Sequence, residues 1–135
     1  MLNIFAVEDN SADRVVLHYA LLCINEALNI EMAVNGEIAV EQLQNQSPDL
    51  IIIDINLPGI SGWDVYDVIQ KHPVLKKCRV VMLTGMMSPN DTRRANQENL
   101  QYIEKPFSID AYIDKLRGLI STQDAEAAFA CNSSA

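Results

Sequence analysis

The segment Leu50-Ile51-Ile52-Ile53 is apolar at every position and lies between Asp49 and Asp54. It is too short for a core helix, and it does not alternate as a strand with one wet face would. Rich in β-branched isoleucine, it reads as a strand covered on both faces. Such a strand belongs in a sheet between two helical layers, which makes the expected class α/β.

The rest of the chain supplies that arrangement, with strand-like and helix-like segments alternating five times. After Asn3–Val7, either Asn10 or Ser11 can cap a helix reaching about Ile24, with Val16, Leu17, Ala20, Leu21 and Ile24 facing inward. A second strand near Asn29–Val34 precedes a helix with Ala39, Val40 and Leu43 on one face. Leu57-Pro58-Gly59 breaks regular structure after the central strand, and Ser61 with Asp64 forms a capping-box pattern for a helix burying Val65, Val68 and Ile69. Arg79–Thr84 is the fourth strand. Ser88, Pro89 and Asp91 then supply a cap, a first-turn proline and a third-position acid for a fourth helix, whose Ala95 is its sole aliphatic residue. After Leu100–Ile103, Ser108 caps a last helix with the stripe Ile109, Tyr112, Ile113, Leu116 and Ile120. Parallel strands joined through helices give a doubly wound domain over residues 1–120. The small-residue tail 121–135 is expected to be frayed or disordered.

Composition narrows the classes. At 135 residues and 49% hydrophobic content, the chain fits one globular core. Its longest apolar run, Tyr19–Ile24, is far below the roughly 18 residues of a membrane span. Met1 leads almost directly into the first strand, so no secretory leader is expected. Cys23, Cys78 and Cys131 lack metal-ligand spacing and read as reduced thiols of a cytoplasmic protein. A net charge of −8 argues against a nucleic-acid partner.

The chemistry collects where the strands end. The first apolar run gives way to Glu8-Asp9, the third to Asp54, the fourth to Thr84-Gly85, and the fifth, past Glu104, to Lys105-Pro106. If the strands are parallel, these groups share the C-terminal edge of one sheet, where open α/β folds bind ligands. Three carboxylates brought together repel one another unless a cation neutralises them, and all-oxygen ligands suit Mg²⁺. A carboxylate is also a competent nucleophile toward phosphorus, while a hydroxyl and an ammonium can cradle phosphoryl oxygens. A cis Lys105–Pro106 bond is expected to aim the lysine back across the edge.

Taken together, VEDNSADR, DLIIIDINLPGISGWDV, VVMLTG and YIEKPFSIDAYIDKL resemble the receiver domain of two-component response regulators, of the chemotaxis-regulator type, in order over about residues 2–120. The resemblance implies a flavodoxin-like fold with a five-stranded parallel sheet, order 2-1-3-4-5, and five helices. It implies Asp54 as phosphoacceptor, Asp9 as a direct Mg²⁺ ligand, Glu8 acting on the metal through water, and the Asn56 backbone carbonyl as a further ligand. Thr84 and Lys105 would contact the phosphoryl group, and Tyr102 matches the switch aromatic. Asn56 and Met87 would flank the water that removes the phosphoryl group. Glu8 stands where many members carry Asp and keeps the charge.

The implied partners are a sensor histidine kinase or phosphotransfer protein and a downstream protein target met through the fourth helix, fifth strand and fifth helix. Homodimerisation on phosphorylation stays open. The expected role is a stand-alone phosphoacceptor signalling domain, not an enzyme beyond self-phosphorylation and self-dephosphorylation. Two alternatives are an aspartyl-phosphate hydrolase, which would want an acid where Asn56 stands, and a phosphorylation-independent pseudo-receiver, which would lack some of these groups. His18 and His72 read as surface or helix-face residues, and Arg93-Arg94 as a solvated helix face. Val15, Tyr19 and Leu22 give the first helix apolar surface beyond its core stripe.

Overall fold

The computed structural model describes residues 2–24, 27–106 and 108–120. The elements run β1 (Asn3–Val7), α1 (Ser11–Ile24), β2 (Asn29–Ala33), α2 (Gly36–Leu43), β3 (Leu50–Asp54), α3 (Gly62–Lys71), a 3₁₀ turn at Leu75–Lys77, β4 (Arg79–Thr84), α4 (Pro89–Gln97) and β5 (Gln101–Glu104). A fifth helix, α5, occupies 109–120. The sheet is parallel, in the order β2-β1-β3-β4-β5, so the expected fold is the one observed. The tail 121–135 lies outside the described residues.

β3 behaves as its sequence requires, with all five residues buried. Its side chains alternate between two cores. Ile51 and Ile53 pack with Ala39 and Leu43 of α2 and with Val65 and Ile69 of α3. Leu50 and Ile52 pack with Leu17, Ala20 and Leu21 of α1 and with Tyr112, Leu116 and Ile120 of α5. A strand with helices on both faces has no polar face to show.

Local signals set the helix starts. Asn10 caps α1, its Oδ1 accepting from Asp13 N–H at 3.0 Å. Ser61–Asp64 and Ser88–Asp91 form the expected capping boxes of α3 and α4. Ser108 Oγ accepts from Ala111 N–H at 3.1 Å at the start of α5. Two expected core residues are exposed, Val68 is only half-buried, and the second strand ends one residue early. Val16 is 39% exposed, because it lies about a quarter turn from the Leu17–Ala20–Leu21 stripe. Ile109 is 37% exposed, as the first residue of its helix. β2 stops at Ala33 and leaves Val34 44% exposed.

The fourth helix is held differently from its sequence reading. Ala95 is fully buried, but it is not the main attachment. The Trp63 indole N–H donates to Asp91 Oδ1 at 3.0 Å, and the Tyr66 hydroxyl donates to Glu98 Oε2, just past the end of α4, at 3.1 Å. Arg94 is no solvated residue: its guanidinium lies 4.5 Å from the Trp63 ring centroid and pairs with Asp67 Oδ1 at 2.5 Å. α4 is therefore fastened to α3 by polar and cation–π contacts.

Gly62 joins the fold to the strand end that matters most. A Cβ there would meet Asp54 O at 2.2 Å and Ile55 Cα at 2.7 Å, both backbone atoms. The helix preference of alanine, about 1 kcal/mol over glycine, is outweighed by this overlap. Gly62→Ala should lower stability by about 1–3 kcal/mol, as overpacking does, measured by urea unfolding. An unchanged or raised midpoint would contradict the close approach.

Candidate functional site

Four strand ends build one cleft at the C-terminal edge of the sheet. Glu8 N–H donates to Ala33 O at 3.1 Å and so continues the β1–β2 pairing by one residue. This holds Glu8 in the sheet, where it is 1% exposed, while Asp9 turns out to solvent. Ile55 N–H donates to Leu83 O at 2.8 Å and continues the pairing past Asp54, which is 3% exposed. Asp54 Oδ1 accepts from the Asn56 N–H at 2.9 Å, which orients the carboxylate. Thr84, fully buried, ends β4. Its Oγ1 accepts from Asn56 Nδ2 at 3.0 Å and donates to Met86 O at 3.2 Å.

Lys105 reaches the cleft without a cis bond. No cis peptide occurs among the described residues, which overturns the expectation for Lys105–Pro106. Lys105 N–H donates to Thr84 O at 2.7 Å, so β4–β5 pairing aims the residue instead. Its Nζ lies 2.5 Å from Glu8 Oε1, 2.9 Å from Asp13 Oδ2 and 2.9 Å from Asp54 Oδ2. Glu8, Asp9, Asp54, Thr84, Asn56 and Lys105 are thus brought together as expected. Tyr102 stands apart and is 39% exposed. Tyr102 pairs with Met82 and Glu104 with Thr84, so by strand alternation Tyr102 and Thr84 share a sheet face. Met87 is half-buried against the α2–α3 core, whereas Met86 is 78% exposed.

Asp13 and Arg14 were not singled out from the sequence. Arg14 Nη1 donates to Glu8 O at 2.9 Å and to Asp9 O at 2.8 Å, which ties the β1–α1 loop to the helix. An acid in a first helical turn is ordinarily read as a partner of the helix dipole. The available signal was that α1 starts directly beyond the Glu8-Asp9 edge, so its first turn overhangs the cleft.

The electrostatics are those of crowded acids around one base. Burial pushes Glu8 up to about 7, the nearby Asp54 carboxylate adds to the rise, and Lys105 opposes it. Burial alone would lower the Lys105 ammonium, but its contacts with the Glu8, Asp13 and Asp54 carboxylates win and hold its pKa above the ordinary value. Oxygens of Glu8, Asp9 and Asp54 all lie within 4.8 Å of one another. Glu8 Oε1 is buried with no aligned hydrogen bond, its contact with Lys105 being one of charge. An acid left in that condition, in an all-oxygen trio, fits a hard divalent cation.

A pH dependence follows for the metal-free protein. Between the ordinary glutamate value of 4.5 and about 7, folded Glu8 binds more protons than unfolded Glu8. The contribution of Glu8 to stability therefore falls as pH rises through that window, by at most about 1.4 kcal/mol per pH unit. Urea unfolding in EDTA should show this fall, with a shallower slope for Glu8→Gln. Identical slopes would exclude Glu8 as the source.

Comparison with known proteins agrees with the fold. The family model for the response regulator receiver domain matches residues 4–117. The chain is 29% identical over 118 residues to the phosphate regulon transcriptional regulatory protein PhoB of Rhizobium meliloti, covering 87% of this chain and 51% of that one. It is 30% identical over 87 residues to the polar-differentiation response regulator DivK of Brucella anthropi, covering 64% of this chain and 71% of that one. It spans about half or less of the length of the first curated relatives it matches. Among solved structures, the Mn²⁺-bound form of response regulator Rcp1 superposes with a TM-score of 0.78 at 26% identity, covering 90% of this chain and 93% of that one. With the family model matched over nearly the whole described chain, and the five-stranded order and acidic cleft in place, the chain belongs to the response regulator receiver domain family.

Proposed function

We propose that Asp54 accepts a phosphoryl group from a phosphohistidine of a sensor histidine kinase or phosphotransfer protein, in a Mg²⁺-dependent reaction in the cytoplasm. The observation that carries this reading is the setting of Asp54. Its carboxylate is buried, clustered with Glu8 and Asp9, and paired with Lys105 Nζ at 2.9 Å. An Asp54 oxygen forms the new bond to phosphorus, the donor's P–N bond breaks, and the imidazole leaves with the electron pair and takes up a proton. When bound, Mg²⁺ supplies charge neutralisation at the carboxylates and the phosphoryl oxygens. Asp9, Asp54 and the Asn56 carbonyl would hold it, with Glu8 acting through water. Rcp1, a response regulator solved in an Mn²⁺-bound form, supports a divalent cation as the group these acids would hold.

The chain's own groups then respond. Lys105 donates to a phosphoryl oxygen, and the Thr84 hydroxyl gives up Met86 O to do the same. Withdrawal of Thr84 leaves room on the face it shares with Tyr102, whose ring can move in from solvent. The change spreads to α4, β5 and α5, the surface proposed for a downstream protein. Asn56 can hold the hydrolytic water, but the Met87 thioether is a weak acceptor, so the aspartyl phosphate decays slowly. Val15 (69% exposed), Tyr19 (58%) and Leu22 (39%) lie on α1 beside Val34, and we assign the kinase or phosphotransfer contact to this face.

Two experiments test the reading. With labelled acetyl phosphate and Mg²⁺, the protein should take up label at Asp54. Asp54→Asn and the wild type in EDTA should take up none, and persistent labelling of either defeats the assignment. Val15→Asp and Leu22→Asp, checked for folding by circular dichroism, should slow phosphotransfer from the protein donor at least about tenfold. Transfer at the wild-type rate would remove α1 from the contact.

A further inference from the structure

Lys105 carries a partner that the phosphoryl chemistry does not use. Its ammonium has three protons and three carboxylate neighbours, Glu8 Oε1 at 2.5 Å, Asp13 Oδ2 at 2.9 Å and Asp54 Oδ2 at 2.9 Å. Glu8 and Asp54 belong to the oxygen trio that suits a divalent cation, whereas Asp13 stands outside it. A divalent cation entering the trio brings a second positive charge against Lys105 and draws on the same two carboxylates, so it weakens their hold on the ammonium. Lys105, whose side chain is 19% exposed, then has Asp13 as its carboxylate neighbour outside the trio.

Asp13 is placed to receive it. The residue sits in the first turn of α1, its N–H bonded to the Asn10 cap at 3.0 Å. The adjacent Arg14 fastens that turn to the carbonyls of Glu8 and Asp9. The backbone at Asp13 is thereby set beside the Glu8-Asp9 loop, and its carboxylate reaches Lys105 while taking no part in the trio. We propose that Asp13 is a positioning residue: it holds the Lys105 ammonium beside the cleft while Glu8 and Asp54 are given over to Mg²⁺. The inference rests on the Mg²⁺ reading of the preceding section. It assigns Asp13 a task separate from complementing the dipole of α1, which would alter only stability.

Titration of MgCl₂ into the full chain, followed by calorimetry, tests this without any phosphoryl chemistry. Asp13→Asn should weaken Mg²⁺ binding about fivefold, the scale of a partly exposed charge pair, and Asp13→Glu should restore it to within about twofold. The double variant Ala12→Asp/Asp13→Ala keeps net charge but moves the carboxylate to an exposed neighbouring position, and it should bind as weakly as Asp13→Asn. In a Lys105→Met background the effect of Asp13→Asn should shrink to less than about twofold, since the coupling partner is gone. Unchanged or tighter binding by Asp13→Asn, wild-type affinity in the moved-charge variant, or an equal loss with and without Lys105 would each overturn the proposal. A wild-type chain that binds no Mg²⁺ would overturn the site reading together with it. Wild-type binding with an indifferent Asp13→Asn would overturn the positioning role alone.

Discussion

Mutual repulsion among carboxylates at the end of a parallel sheet is the constraint on which the rest of this molecule turns. Glu8 and Asp54 are almost wholly buried, with Asp9 and Asp13 close by, and the ammonium of Lys105 reaches three of the four. A cluster with that imbalance is tolerable only if its geometry is imposed from outside. The backbone imposes it: pairing continues one residue past β1, β3 and β5, through Glu8, Ile55 and Lys105 N–H groups. Glu8, Asp54 and Lys105 are thereby aimed by ladder hydrogen bonds at or directly beyond them. Burial first, and the neighbouring Asp54 carboxylate second, push the Glu8 pKa up to about 7, and Lys105 opposes them only in part.

Around that cleft the scaffold divides into a rigid part and a fastened part. β3 is packed on both faces, and α1, α2, α3 and α5 bury aliphatic stripes against it or its neighbours. α4 buries one alanine and is otherwise attached through Trp63, Tyr66 and Asp67 of α3. Hydrogen bonds and ion pairs at half-exposed positions exchange readily with water, whereas a buried aliphatic stripe has no such alternative. The element nearest the Thr84 loop is thus the one whose attachments are easiest to trade. The Arg94 guanidinium, stacked on Trp63 and paired with Asp67, joins the two kinds of contact in one residue.

Much of this was legible in the chain. The unbroken apolar run of β3 required two helical layers, and the caps at Asn10, Ser61, Ser88 and Ser108 fixed the helix starts through bonds spanning three residues. Strand-end placement brought Glu8, Asp9, Asp54, Thr84 and Lys105 to one edge, because parallel strands must all finish on the same side. Stripe edges were harder to read. Val16 and Ile109 have the chemistry of core residues, and their exposure depends on how far each helix is rotated and where it starts over the sheet.

Local order, therefore, was determined by the sequence: periodicity and capping act over three or four residues and need no knowledge of the rest of the chain. What only the tertiary structure decided were the long-range polar pairs. Asp13 meets Lys105 across 92 residues, Arg94 meets Asp67 across 27, and Asn56 meets Thr84 across 28. A charged side chain in a helix carries no local mark of its partner, since Coulomb attraction is indifferent to sequence separation. Asp13 and Arg94 read as ordinary helix-surface charges until the α1 turn is set over the sheet edge and α4 is laid against α3.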